Sequence, residues 1–110
     1  MHTKAKGNIA EDRACEYLRL QGYRIIDRNV YNRFGEIDII ALKESVLHFV
    51  EVKSGATYES AVYNITRSKL QKLNRTIQTY LQQKKLNGDY CIDALIVCDE
   101  GIEWIENITI

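Results

Sequence analysis

The sequence predicts an α/β fold: elements in the order α-β-β-β-α-β-β, with a mixed central sheet flanked by helices. Three observations predict it. Two stretches carry apolar residues at helical spacing, near either side of a block of β-prone segments. The β-prone segments are short and bounded by turn residues, and two of them follow the second helical stretch. The chain has 110 residues, 45% of them hydrophobic, with no proline, repeat or linker, which suits one domain over residues 1–110 with one core.

The elements follow in order. Ala10, Ala14, Tyr17, Leu18 and Gln21 recur at helical spacing and Gly22 closes the pattern, so a first helix is expected from about Asn8 to Gln21. Tyr23 to Asn32 holds Ile25, Ile26, Val30 and Tyr31 and reads as a strand, with a turn at Phe34-Gly35. Glu36 to Leu42 and Val46 to Lys53 read as two strands joined at Glu44-Ser45. Ser54 to Asn64 is small and polar and is expected to be a loop. Leu70, Leu73, Ile77, Tyr80 and Leu81 predict a second helix over about Thr66 to Lys85, ended by Asn87-Gly88. Tyr90 to Cys98 is an apolar strand interrupted by Asp93, and Ile102 to Ile108 alternates as a last strand.

Charge is informative only in its distribution. The formal net charge is zero. Ser60 to Gly88 contains no Asp or Glu but has Arg67, Lys69, Lys72, Arg75, Lys84 and Lys85, whereas Asp89 to Ile110 contains no Lys or Arg. The zero is therefore a cancellation of a basic helix against an acidic end. Two readings stand: the helix tracks phosphates, or the two segments neutralise each other. No apolar run is long enough to span a membrane, and Met1 to Lys6 has no apolar stretch behind it. Three cysteines without a C-x-x-C pair, Cys15, Cys91 and Cys98, read as buried thiols in a reducing cytoplasm.

Asp38, Glu51 and Lys53 interrupt apolar strands and need an explanation, because an unpaired buried charge is costly. With Glu44-Ser45 as a two-residue turn, Lys43 pairs with Val46, Ile40 with Phe49, Asp38 with Glu51 and Glu36 with Lys53. Alternation then sends Glu36, Asp38, Glu51 and Lys53 to one face and Ile37, Ile39, Ala41, Val50 and Val52 to the other. Opposed carboxylates repel and attract a cation. Mg²⁺ (or Mn²⁺) fits, because hard cations take carboxylate oxygens, here with the Val52 carbonyl as an added ligand. Lys53 would orient a water or offset charge on a phosphate. The plainer reading is a surface salt-bridge network.

At these residues the chain resembles a known group. Asp38 and Glu51-Val52-Lys53 resemble the PD-(D/E)XK motif of the restriction-endonuclease-like superfamily, with Ile37 at the proline position. Gly7, Glu11, Ala14, Tyr17-Leu18, Gly22-Tyr23, Arg28-Asn29, Gly35 to Ala41, Phe49 to Lys53, Lys69, Tyr80-Leu81 and Asp93 resemble the YraN-type family of small bacterial proteins, similar in fold to archaeal Holliday-junction resolvases. The resemblance covers nearly the whole chain. It implies a restriction-endonuclease-like αβββαβ core, Asp38 and Glu51 as metal ligands, Lys53 as the catalytic lysine, and a nuclease-like or nucleic-acid-binding role.

Secondary candidates each have two readings. Glu11 matches an acidic position that leans toward the metal in similar nucleases, or it is the capping-box partner of an Asn8 N-cap. Glu36 binds a second metal or pairs with Lys53. Lys69 and Lys72 reach nucleic acid or lie on a solvated helix face. His48 is expected to be a satisfied structural histidine, and Trp104 and the tyrosines to be packing residues. The functional expectation is a metal-dependent phosphodiesterase on nucleic acid, DNA in repair or recombination, with a homodimer compatible with the small surface. The alternatives are a non-catalytic nucleic-acid-binding subunit and a protein-interaction module.

Overall fold

In a computed structural model, which describes residues 5–63 and 65–108, the order of elements is α1 (Ala5–Leu20), β1 (Arg24–Asn32), β2 (Gly35–Lys43), β3 (Val46–Ser54), α2 (Tyr58–Tyr63), α3 (Arg67–Gln83), β4 (Tyr90–Cys98) and β5 (Gly101–Ile105). The five strands form one sheet in sequential order. Neighbours are antiparallel except β3 and β4, which are parallel. The connection from β3 to β4 carries α2 and α3, as a parallel pair requires a long crossover. The expected mixed sheet with flanking helices is what forms. No helix among the described residues is long and apolar enough to cross a membrane.

Each face of the sheet is covered by one long helix. On one face Ala10, Ala14, Cys15 and Leu18 of α1 pack on Ile39, Ala41, Val50, Leu95 and Val97. The alanines at positions 10 and 14 let the helix approach the strands closely. On the other face Leu73, Ile77 and Tyr80 of α3 pack on Ile37, Ile40 and Phe49. A smaller cluster of Ala61, Ala94 and Ile96 seats α2. Fully burying such aliphatic side chains contributes roughly 1.5–3 kcal/mol each, so these clusters dominate the stability.

Local chemistry sets the ends. Thr66 N-caps α3, its side chain accepting from the Lys69 N–H at 3.2 Å. The helix ends earlier than Asn87-Gly88: Lys85 takes a left-handed φ of 56°, and the Leu86 N–H bonds back to the Leu81 carbonyl. That is a Schellman closure made by a lysine where glycine is usual. The Glu44-Ser45 turn has φ of 52° and 69°, the primed geometry that matches strand twist.

Four expectations are corrected. The helix α1 already begins by Ala5, so Asn8 lies inside it and cannot be its N-cap, and Glu11 is not a capping-box partner. The expected loop of residues 54–64 contains α2, which buries Ala61 against β4. The last strand stops at Ile105, where the backbone turns through Asn107 at a φ of 53°. Ile37 does not share a face with Ile39: it joins the α3-side cluster while Ile39 joins the α1 side. The β alternation therefore changes step around Asp38.

Candidate metal centre

The change of step has a visible cause in the strands. The expected register holds from Lys43–Val46 to Ile39–Val50, and the ladder then ends. Asp38–Glu51 and Glu36–Lys53 do not form as ladder pairs. Directly opposed carboxylates destabilise a pair, and here the strands part where those two would meet. On the far side of β2, Asn29 of β1 takes a left-handed φ of 52° between the paired residues Arg28 and Val30. The two irregularities together open a gap in the sheet between β2 and β3.

Asp38 bridges that gap. Its Oδ2 accepts the Val52 N–H at 2.8 Å, so a side-chain carboxylate takes the place of a ladder carbonyl. Burial, then the nearby Glu51 charge, push the Asp38 carboxyl up to about 8 from 3.8, against the lowering effect of the Val52 bond. Glu11 and Glu36 add to the same push. Three carboxylates thus act on a fourth. Among the described ion pairs none involves Asp38, whereas Glu51 Oε2 lies 3.0 Å from Lys53 Nζ.

Glu11 and Glu36 arrive from different elements and meet on Asn29. Its Nδ2 donates to Glu11 Oε1 at 2.9 Å and to Glu36 Oε2 at 3.3 Å. Arg28 adds partial neutralisation, 3.9 Å from Glu11, but its closer contact is Asp12 at 2.8 Å. Glu36 is therefore tied to Asn29 and Lys53 to Glu51, so a Glu36–Lys53 salt bridge is not the arrangement formed. Asn29 is the residue that residue-level reasoning missed. An Asn within a β-prone run was the available signal, since Asn tolerates the left-handed region that other residues avoid.

On β3, Phe49 belongs to the α3-side cluster and Val50 to the α1 side, so alternation places Glu51 and Lys53 on the α3 side. They line a cleft of about 160 Å³ together with Glu36, Lys69 and Lys72. The basic helix α3 supplies the opposite wall. Gly35 permits the close approach: a Cβ there would stand 2.9 Å from Thr76 Oγ1. The Asn32 Nδ2 donates to the Thr76 carbonyl at 3.3 Å and ties the β1–β2 turn to the same helix. Thus Glu36, Glu51, Lys53, Lys69 and Lys72 share one cleft, Asp38 stands behind it in the gap, and Glu11 reaches Asn29 from the other face. Val52 enters through its N–H, which is spent on Asp38.

The family model described as "Uncharacterised protein family UPF0102" matches residues 10–97. The chain belongs to this family, the YraN family. It is 58% identical over 108 residues to a UPF0102 protein of Sulfurimonas denitrificans, covering 98% of this chain and 99% of the relative. It is 55% identical over 106 residues to a UPF0102 protein of Helicobacter pylori strain HPAG1, covering 96% and 92%. A UPF0102 protein of Helicobacter hepaticus is 52% identical over 110 residues, covering 100% and 99%. The matched span of this UPF0102 chain includes Glu11, Asn29, Asp38, Glu51, Lys53, Lys69 and Lys72. Membership fixes ancestry, and chemistry has to be argued from the site.

The donor set fits a hard divalent cation. It is made of carboxylate oxygens, and burial together with the neighbouring carboxylates pushes one of its members, Asp38, up to about 8. A divalent ion would relieve both the like-charge repulsion and the desolvation cost that raise Asp38.

Proposed function

We propose that this UPF0102 protein is a divalent-metal-dependent phosphodiesterase of the PD-(D/E)XK type acting on nucleic acid, with DNA in repair or recombination as the substrate class and the cytoplasm as its place of action. The observation that carries the reading is the opening of the sheet at Asp38. It sets a half-buried carboxylate on the Val52 N–H and near Glu51, next to a cleft whose other wall is lysine-rich. A structural salt-bridge network needs no such gap.

Asp38, Glu51 and the Val52 carbonyl would hold Mg²⁺ or Mn²⁺. When bound, the ion polarises the phosphate and lowers the pKa of a coordinated water. Lys53, held 3.0 Å from Glu51, places a fixed positive charge beside the reacting phosphate and offsets the charge that grows in the transition state. Lys69 and Lys72 bind flanking phosphates from the cleft wall. Glu11 and Glu36 act through Asn29, which holds both carboxylates near Asp38 without consuming Asp38 itself.

The test is a cleavage screen of duplex, flap, junction and single-stranded DNA and of RNA, each with Mg²⁺ and Mn²⁺. Cleavage should vanish in Asp38→Asn, Glu51→Gln and Lys53→Ala variants that keep the native circular dichroism. Cleavage that survives all three substitutions would sink the assignment. Salt-sensitive binding with no cleavage of any substrate would replace it with a non-catalytic nucleic-acid-binding role.

A further inference from the structure

A second constellation lies on the opposite face of the sheet. His48 and Cys91 are direct partners in the parallel β3–β4 register, and Asp93 follows two residues along the same strand, hence on the same face. That face is the α1 side, because the Tyr23 ring of its cluster meets the His48 ring edge-on at 4.9 Å. His48 Nδ1 lies 2.7 Å from Asp93 Oδ2, and one ligand atom from each of His48, Cys91 and Asp93 lies within 4.8 Å of the others. The expectation of a structural histidine is met by the Asp93 contact. The expectation of buried thiols holds for Cys15 and Cys98, whereas Cys91 is half-buried in this group.

Three features set this group apart from an ordinary ion pair. Asp93 is only 1% exposed, and a carboxylate so buried needs a positive partner at close range. Its other oxygen, Oδ1, accepts the Asn107 N–H at 2.8 Å, so the carboxylate is fixed in orientation. The surroundings are acidic: Glu106 and Asp89 lie near Cys91 alongside Asp93. The nearby Lys43 lies over the Tyr23 ring and spends its Nζ on the Gln21 carbonyl.

We propose that His48, Cys91 and Asp93 form a zinc-type site, separate from the Asp38 centre and on the other side of the sheet. The donor types select the metal: imidazole, thiolate and one carboxylate suit Zn²⁺ and not Mg²⁺. Charge balances, because Zn²⁺ with one thiolate and one carboxylate is neutral, which suits a half-buried position. Tetrahedral zinc with nitrogen and oxygen ligands near 2.1 Å sets those atoms roughly 3.4 Å apart, so the His48–Asp93 contact opens by well under 1 Å. The Cys91 thiol moves inward and releases its proton to solvent. Water takes the fourth position. The ion ties β3 to β4 and, through Asp93, to the segment at Asn107, whose neighbour Ile108 bonds to the Ile92 carbonyl.

The experiment is Co²⁺ titration of the reduced full chain, followed by absorbance. One equivalent should produce a thiolate-to-cobalt charge-transfer band with tetrahedral visible bands, bleached by Zn²⁺. The band should be lost in Cys91→Ser, weakened at least tenfold in affinity in His48→Ala, and kept in Cys15→Ser, Cys98→Ser and Asp38→Asn. Zinc at a hundredfold above its Kd should raise the Tm by about 10 °C, and this gain should disappear in Cys91→Ser. Cys91→Ser is a near-isosteric change at a half-buried position, and its circular dichroism reports folding independently. A folded protein without the thiolate band, a band indifferent to Cys91→Ser, or a Tm unmoved by zinc would overturn the site. None of these results bears on the Asp38 centre, because Asp38→Asn is expected to keep the band.

Discussion

Raising the pH without divalent ions should weaken this fold through Asp38. In the folded protein its carboxyl is pushed up to about 8, by burial first and by Glu51 second, against 3.8 for the ordinary group. Between those values the folded state holds a proton that the unfolded chain has released. Stability from this group is fully present below 3.8, falls as the pH rises, and is gone above 8. The slope is about 1.4 kcal/mol per pH unit, so the full window sets a ceiling of about 6 kcal/mol. The cleft admits water, so a measured loss of about 2–4 kcal/mol between pH 5 and pH 8 is expected. Urea unfolding at stepped pH, in chelator, measures it. Asp38→Asn should remove this slope and be the more stable protein at pH 8, since its amide oxygen still accepts the Val52 N–H. Adding Mn²⁺ should restore the wild type and leave Asp38→Asn unchanged. Parallel pH profiles for the two proteins would refute the reasoning.

Other perturbations follow from the same geometry. Gly35→Ala should cost about 1–3 kcal/mol in urea unfolding, because its methyl would press on Thr76 Oγ1 and push α3 from the sheet. Asn29→Gly keeps the left-handed backbone but loses the bonds to Glu11 and Glu36, so it should weaken Mn²⁺ affinity at least several-fold in calorimetry while changing stability little. Lys69→Ala and Lys72→Ala should each lower DNA affinity and reduce the slope of log K against log salt by about 0.9, read by fluorescence anisotropy. Thr66→Ala should cost about 0.5–2 kcal/mol through loss of the α3 cap, with metal binding unaffected.

The fold was largely legible because periodicity and turn chemistry are local. Helical spacing in Leu73, Ile77 and Tyr80 marked the face of α3 that is buried, and Glu44-Ser45 set a hairpin register that holds as far as Ile39–Val50. The site was legible only in part. Asp38, Glu51 and Lys53 stand out as charges in apolar strands, but the alternation does not run unbroken across them. The end of the β2–β3 ladder at Ile39–Val50 and the left-handed Asn29 mark the break in alternation that sets Ile37 on the α3 side. Neither effect appears in a period-2 pattern. The capping reading of Glu11 failed because α1 starts earlier than its apolar stripe, whereas the carboxylate's real partner, Asn29, is 18 residues away. The His48, Cys91 and Asp93 group was invisible for a similar reason: it depends on a parallel pairing of strands separated by two helices.

Asp38 is expected to keep a proton in the metal-free protein and to surrender it to a divalent ion. Calorimetric Mn²⁺ titration at pH 6.5, in two buffers of different ionisation enthalpy, measures this. Release of about one proton per ion bound is expected, falling toward zero above pH 9, with at least tenfold weaker binding in Asp38→Asn. Equal Mn²⁺ affinity in wild type and Asp38→Asn, or binding without proton release at pH 6.5, would contradict it.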